Sequence, residues 1–334
     1  MRSVGVICVA IGLIGLCLPA SADPPKFRVG WVVPVANVAS IVAEVPPGVT
    51  HHLGKTYLYE PLHFASTPTM VTALATGDLD MGTLGNTGLS IAIANAGLND
   101  ARVIADELRD GVDGYYSDEY MVRKDSPIKT VDDLKGKVVG INSQGGAMDL
   151  ARFVILRQHH LDPAHDVTYV EARLPNMKAM LAESKIDLGE ATLPFSYDPA
   201  LRAIARPLFT QKDADGPTDM LIWVARAPFI AKNRAALVDF LEDLIRTVRY
   251  VTDPANHAAV VELAARVTKQ PAANFEDWLF NKKDFYRDPN LTPDIGSLQR
   301  NFDLQAELGY IKKRVDARSH ADLSVLKEAL ARVN

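Results

Sequence analysis

The turn Asn142-Ser143-Gln144-Gly145-Gly146 stands directly ahead of a helical apolar pattern. Paired glycines allow a backbone to approach another group closely, and a helix start offers unpaired N–H groups at the positive end of its dipole. Ser143 and Gln144 add neutral hydrogen-bonding side chains. Together they suit an anion held without a fixed positive charge, although an ordinary strand-to-helix turn with a Ser or Asn cap has the same composition. Gly82, Gly85 and Gly88 surround Asn86 and Thr87 at three-residue spacing. A dinucleotide fingerprint needs its first two glycines one residue apart, so this stretch reads as a strand-end loop offering Asn86 and Thr87 to a ligand. Gly54-Lys55-Thr56 matches the tail of a phosphate loop, but Val49 stands where that loop requires glycine.

Catalytic and metal chemistry find little support. The histidines come as adjacent pairs, His51-His52 and His159-His160. Neighbours on a helix diverge by about 100°, so such a pair cannot clamp one metal from one face. There is no Gly-x-Ser-x-Gly elbow, and both cysteines, Cys8 and Cys17, lie in the first residues of the chain. We therefore expect no catalytic residue, no metal and no cofactor. Trp31, Tyr115, Tyr116, Phe195, Tyr197 and Trp223 fit a core or a pocket; Tyr115, Tyr116 and Phe195 fall in loops and are better placed to touch a ligand.

The elements that would position these loops alternate between strand-like and helix-like patterns as far as Arg226. Phe27 to Val33 is β-rich, Met70, Val71, Leu74 and Ala75 have helical spacing, and Leu79 to Leu84 is a short apolar run. Lys137 to Ile141 reads as another strand, followed by a helical face at Ala147, Leu150, Ala151, Val154 and Ile155. Such alternation predicts parallel βαβ units. From Lys232 onward the pattern is helical, with an apolar stripe at Leu237, Phe240, Leu241, Leu244 and Ile245.

A repeat organises the pattern. Residues 68–82 align without gaps on 175–189, sharing Pro68/Pro175, Met70/Met177, Leu74/Leu181, Ala75/Ala182, Asp80/Asp187 and Gly82/Gly189. Helical patterning alone does not demand the shared Pro, Asp and Gly. The repeat predicts two related lobes, each with a helix opened by proline and a strand ended by glycine. Ligands of open parallel sheets sit beyond the carboxyl ends of the strands, so two facing lobes would form a cleft lined by loops.

The chain has 334 residues, 48% of them hydrophobic, and a formal net charge of −5. It lacks the clustered Lys and Arg of a nucleic-acid binder. Arg2, the apolar run Val4 to Leu18 and the small-x-small site Ala20-Ser21-Ala22 predict a cleaved signal peptide over residues 1–22, hence a periplasmic protein beginning at Asp23. Lipidation at Cys17 is disfavoured by Leu16, where Gly or Ala is needed. The mature chain would then contain no cysteine and rely on its core alone.

Asp125 to Gly140, with Ser126-Pro127 and Val131-Asp132-Asp133-Leu134-Lys135-Gly136, resembles the start of the second lobe in ABC-importer substrate-binding proteins of the nitrate/sulfonate/taurine family. Gly77 to Gly82 and Pro194-Phe195 resemble the same family, and the order of these motifs covers nearly all of the mature chain. The resemblance implies an α/β, two-lobed periplasmic-binding-protein fold (type II), each lobe a mixed, mostly parallel sheet flanked by helices, with a helical C-terminal region. It implies crossings near Tyr120–Asp125 and Asp215–Trp223, with lobe one over 23–122 and 220–334 and lobe two over 123–219. Its ligand loops correspond to Val35-Ala36-Asn37, Ser66-Thr67, Asn86-Thr87, Ser143-Gln144-Gly145-Gly146 and Pro194-Phe195. The implied function is capture of a small organic anion (nitrate, a sulfonate, taurine, or an aliphatic or aromatic carboxylate) by a monomer that delivers it to an ABC permease and its ATPase at the inner membrane. No loop arginine is on offer to clamp the anion, and only Asp113 or Glu119 suggests itself for an ammonium such as taurine's. The alternative is an enzyme on the same bilobal fold, of the thiamine-pyrimidine or menaquinone-pathway type. A secretory signal and a cysteine-free mature chain argue against it.

Overall fold

The structure, a computed structural model, describes residues 23–333; the expected signal peptide over 1–22 lies outside the described residues. The chain first forms β1 (Lys26–Trp31), β2 (Leu58–His63), α1 (Thr67–Thr76), β3 (Met81–Gly85), α2 (Asn86–Asn95) and β4 (Ala101–Asp110). A second group follows: β5 (Glu119–Arg123), β6 (Lys137–Ile141), α3 (Asp149–Gln158), β7 (Val167–Glu171), α4 (Met177–Ala182), β8 (Leu188–Ala191), α5 (Pro199–Ile204), β9 (Ala205–Thr210) and α6 (Gln211–Asp215). The rest is β10 (Thr218–Arg226), α7 (Ala227–Lys232), α8 (Arg234–Thr252), α9 (His257–Thr268), α10 (Ile295–Glu307) and α11 (Ser324–Val333).

Among the described residues, ten strands form two sheets of the same topology, β2-β1-β3-β10-β4 and β7-β6-β8-β5-β9. In each, the first three strands named pair in parallel, and the fourth, β10 or β5, lies antiparallel between its two neighbours. The chain passes from the first sheet to the second between Asp110 and Glu119 and returns between Thr210 and Thr218. Residues 119–122 pair with β8 and β9, so they lie in the second sheet and not, as expected, in the first. Both passages precede the expected ones by a few residues. Interstrand hydrogen bonds fix these limits, and the apolar Met121 and Val122 would suit either sheet.

The sequence repeat is a repeat of structure. Residues 68–82 supply α1 and the start of β3, and 175–189 supply α4 and the start of β8, third-strand units at the same place in each sheet. A methyl group on Gly30 of β1 would lie 2.8 Å from both Met70 and Leu79; one on Gly140 of β6 would lie 3.1 Å from Met177 and 2.5 Å from Ile186. Each first strand thus gives up a side chain so that the repeated helix unit can close over it. The shared aspartates do matching work. Asp80 accepts the Arg28 N–H and Asp187 the Val138 N–H, both at 2.9 Å, two residues before those glycines.

Alternation along the first sheet's strands feeds two cores. Phe27, Tyr57 and Trp223 face α8, where Phe240 meets their rings at 5.4–6.0 Å. Leu84 and Ile222 face the opposite side, toward Met70, Leu74, Leu298 and Phe302. The α8 stripe Leu237, Phe240, Leu241, Leu244 and Ile245 is fully buried, as its spacing predicts. Among the described residues, no helix is long and apolar enough to cross a membrane.

Candidate functional site

The strand-end loops of the two sheets meet. A Cβ on Gly85 would come within 2.9 Å of the Ala147 Cα, and one on Gly88 within 3.0 Å of the Gly145 carbonyl oxygen. Gly85 and Gly88, which flank Asn86 and Thr87, are bare where the opposite loop arrives. Farther out, Phe153 of α3 packs edge-on against Tyr310 at 4.6 Å. That pair lines an outer recess of about 520 Å³, and a separate inner cavity of about 60 Å³ lies between the strand-end loops. The inner cavity is walled from both sides, by Val32, Asn37, Thr67 and Phe285 from one and Asp118, Asn142, Ser143 and Glu190 from the other.

The residues expected to bind separate into three sets. Asn37, Thr67, Ser143 and Gly146 line the inner cavity. Gln144 and Gly145 line the outer recess instead, together with Arg152. Ser66, Asn86, Thr87 and Phe195 line neither. Asn86 is buried and its amide donates to the Thr218 hydroxyl, the Asp219 carbonyl and the Asn301 side chain, while Thr87 donates to Asn86. These bonds fasten α2 to β10 and α10.

Local geometry explains each loop. After β1 the chain turns through Val35 at φ 67, a left-handed conformation uncommon for a β-branched residue. Asn37 secures the turn by accepting the Val32 and Val33 N–H groups at 2.9 and 2.8 Å. In the Asn142–Gly146 turn, Gly146 is required locally, since a Cβ there would lie 2.8 Å from the Ser143 hydroxyl. Three of the turn's N–H groups already have carboxylate acceptors. Asn142 donates to Glu190 at 2.7 Å, Gln144 to Glu171 at 3.1 Å and Gly145 to Asp149 at 2.8 Å. Three of the chain's own carboxylates thus take donors that an anion would use, and the Ser143 hydroxyl remains buried and unpaired.

The charged groups of the inner cavity are acids. Asp118 is fully buried. Burial, then the charge of Asp110, push its carboxyl well above the usual range, and the Thr192 hydroxyl pulls the other way. Glu190 is raised to about 7 by burial, against the Asn142 N–H and the nearby Arg152 charge. No Lys, Arg or His is among the lining residues. Arg152, in the recess, is paired with Asp149 and lies 4.1 Å over the Tyr169 ring. Of the acids suggested for an ammonium, Asp113 is exposed and paired with Lys212, and Glu119 with Arg202. The acid in the cavity is their neighbour Asp118. Sequence reasoning missed it, as it missed Glu190, Thr192 and Phe285. A carboxylate inside the apolar strand Leu188–Ala191 was the available signal for Glu190. Among the described residues no group of His, Cys, Asp and Glu is arranged to hold a metal ion.

Residues 20–265 match the NMT1-like family. The chain belongs to that family. No curated protein sequence matches it. Among solved structures it is similar to the periplasmic aliphatic sulphonate-binding protein SsuA of Escherichia coli, with 21% identity over 91% of this chain and 99% of that one and a TM-score of 0.68. The periplasmic nitrate-binding protein NrtA of Synechocystis PCC 6803 gives 13% identity, 93% and 90% coverage and a TM-score of 0.72. The desulfurization enzyme DSZB gives 14% identity, 93% and 100% coverage and a TM-score of 0.64. At such identities the likeness establishes the fold of this NMT1-like chain: two mixed five-stranded sheets flanked by helices, the bilobal periplasmic-binding-protein architecture.

Proposed function

We infer that the protein is the solute-binding component of an ABC importer, a periplasmic protein that closes two lobes over a small organic acid and presents it to a permease and its ATPase. Lobe one would carry β1–β4 with β10–α11, and lobe two β5–β9. The observation that carries this reading is the inner cavity: it is walled by both sheets and holds buried polar groups with no partner, the Asp118 carboxylate and the Ser143 hydroxyl. Unpaired buried polar atoms are costly, and a solute would complete them. The sulphonate- and nitrate-binding relatives favour an acidic solute such as a sulfonate or carboxylate. Asn37, Thr67, Ser143 and Gly146 are then the expected contacts, joined by Asn142 and Thr192, with Asn86 and Thr87 as supports behind them. Catalysis is disfavoured because no His, Lys or Cys lines the cavity to activate a nucleophile.

The test is to purify the protein from its native periplasm and identify what it releases on denaturation by mass spectrometry. One small acid in near-stoichiometric amount, unchanged after prolonged incubation, supports the reading. Conversion of that molecule to a product would make the protein an enzyme, and absence of any solute from freshly purified protein would contradict the reading.

A further inference from the structure

Asp118 ends the first passage between the sheets, one residue before β5, and lines the inner cavity with none of its surface exposed. Neither carboxylate oxygen has an aligned hydrogen-bond partner. The charged groups that act on it most strongly are Asp110, Glu190 and Glu119, all acids, and Thr192 is the neutral group that acts on it. Asp110 is itself engaged by Ser117 and by the Asp118 N–H, and Glu119 by Arg202. Glu190, the second acid of the wall, takes the Asn142 N–H and feels the charges of Arg152 and Asp149, which are paired with each other. The cavity therefore has two carboxyl groups in its wall and no base.

A buried carboxyl with no counter-charge, and only the Thr192 hydroxyl beside it, is among the costlier features a fold can keep. A purely anionic solute would make it worse. On the reading of this cavity as the solute site, we propose that the solute bears a protonated nitrogen, an ammonium or amidinium, which docks on Asp118 with Glu190 beside it. The solute's acidic end then turns toward the unpaired Ser143 hydroxyl, and the class is a compact zwitterion. Charge-assisted hydrogen bonds to Asp118 supply the missing donors.

Matched probes isolate the nitrogen. Taurine differs from ethanesulfonate, and β-alanine from propionate, by one amino group. Calorimetric titration of the dialysed protein should give taurine or β-alanine at least about tenfold tighter binding than its amino-free partner. Asp118→Asn should abolish that preference, and Glu190→Gln should weaken it. The Asp118→Asn protein should melt no lower than wild type, because the change removes a buried carboxyl that has no counter-charge, and Asp113→Asn on the surface should behave as wild type. Between pH 5.5 and 8, affinity for the amino probes should rise as Glu190, raised by burial to about 7, ionises. Equal binding of the amino-free acids overturns the proposal, as does a preference that survives Asp118→Asn, an affinity that falls as pH rises, or binding by neither amino probe. Tight binding of ethanesulfonate or propionate alone would remove the nitrogen and leave the importer reading standing; that reading fails separately, if natively purified protein releases no solute.

Discussion

In the first sheet, the backbone N–H of Val32, two residues past Gly30, is taken by the neutral amide oxygen of Asn37 at 2.9 Å. In the second, the equivalent N–H of Asn142, two residues past Gly140, is taken by the carboxylate of Glu190 at 2.7 Å. The first sheet has Thr83 where the second has Glu190, each one residue after the repeated Gly82 and Gly189. The two halves share the unit that closes a helix over a bare strand glycine, and they satisfy the same strand-end donor with different chemistry. The scaffold is duplicated, and the charge at the cleft belongs to one side. That difference separates what builds a lobe from what selects a solute.

The largest expected effect tests the charge asymmetry. Burial raises the Glu190 carboxyl to about 7 from the ordinary 4.5, so over that range the folded protein keeps a proton that the unfolded chain has released. The stability this proton confers is complete below about pH 4.5 and is lost as pH rises through about 7. A shift of that size corresponds to roughly 3 kcal/mol. Denaturant titrations of the solute-free Glu190→Gln protein should show that much less fall in stability between those limits, whereas Thr83→Val should leave the pH profile unaltered. An unchanged slope in Glu190→Gln would make the two strand ends electrostatically alike.

Gly85 tests the meeting of the halves. A Cβ there would collide with the backbone of Ala147 across the cleft, and Gly85→Val should therefore oppose closure. We expect solute affinity to fall about a hundredfold, ~2.7 kcal/mol, with little change in the solute-free melting temperature. A large loss of melting temperature without solute would assign the glycine to the first sheet's own geometry.

The smallest effect lies within the repeat. Gly77 and Ser184 occupy the same position after the repeated helix, and both are left-handed, at φ 81 and φ 55. Serine bears a penalty there that glycine does not. Ser184→Gly should raise stability by about 0.5 kcal/mol and Gly77→Ser should lower it by about 1 kcal/mol. Opposite signs in thermal or denaturant unfolding sustain the equivalence, and equal signs break it.

The scaffold was legible because its causes are local. The apolar stripe of α8 and the fifteen-residue repeat are written in spacing, and the repeated Met, Asp and Gly each turned out to have a contact that requires them. The passages between sheets were harder, since pairing partners decide them and β5 finds its partners far along the chain. The site was legible only in part. Loops after β1 and β6 reach the inner cavity, with Asn37, Ser143 and Gly146 in its wall. Asn86 and Thr87 have the right types at a strand end, yet three buried partners hold the Asn86 amide away from the cavity. The sequence offered no reason for Gly85 and Gly88 beyond a strand-end loop; both are bare where the opposite loop arrives. Asp118 carried no motif; only its burial without a partner marks it out.

The central claim is that the two halves close over a solute in the inner cavity. The chain without residues 1–22 has no cysteine, so cysteines introduced at the exposed Thr72 of α1 and Arg157 of α3 can be spin-labelled without background. The distance between these labels should be measured by electron–electron resonance before and after adding the solute released by the native protein. Closure predicts that saturating solute shortens the distance by several ångströms in the wild-type background and leaves it long in Gly85→Val. A distance that saturating solute does not change in the wild-type background would contradict the account.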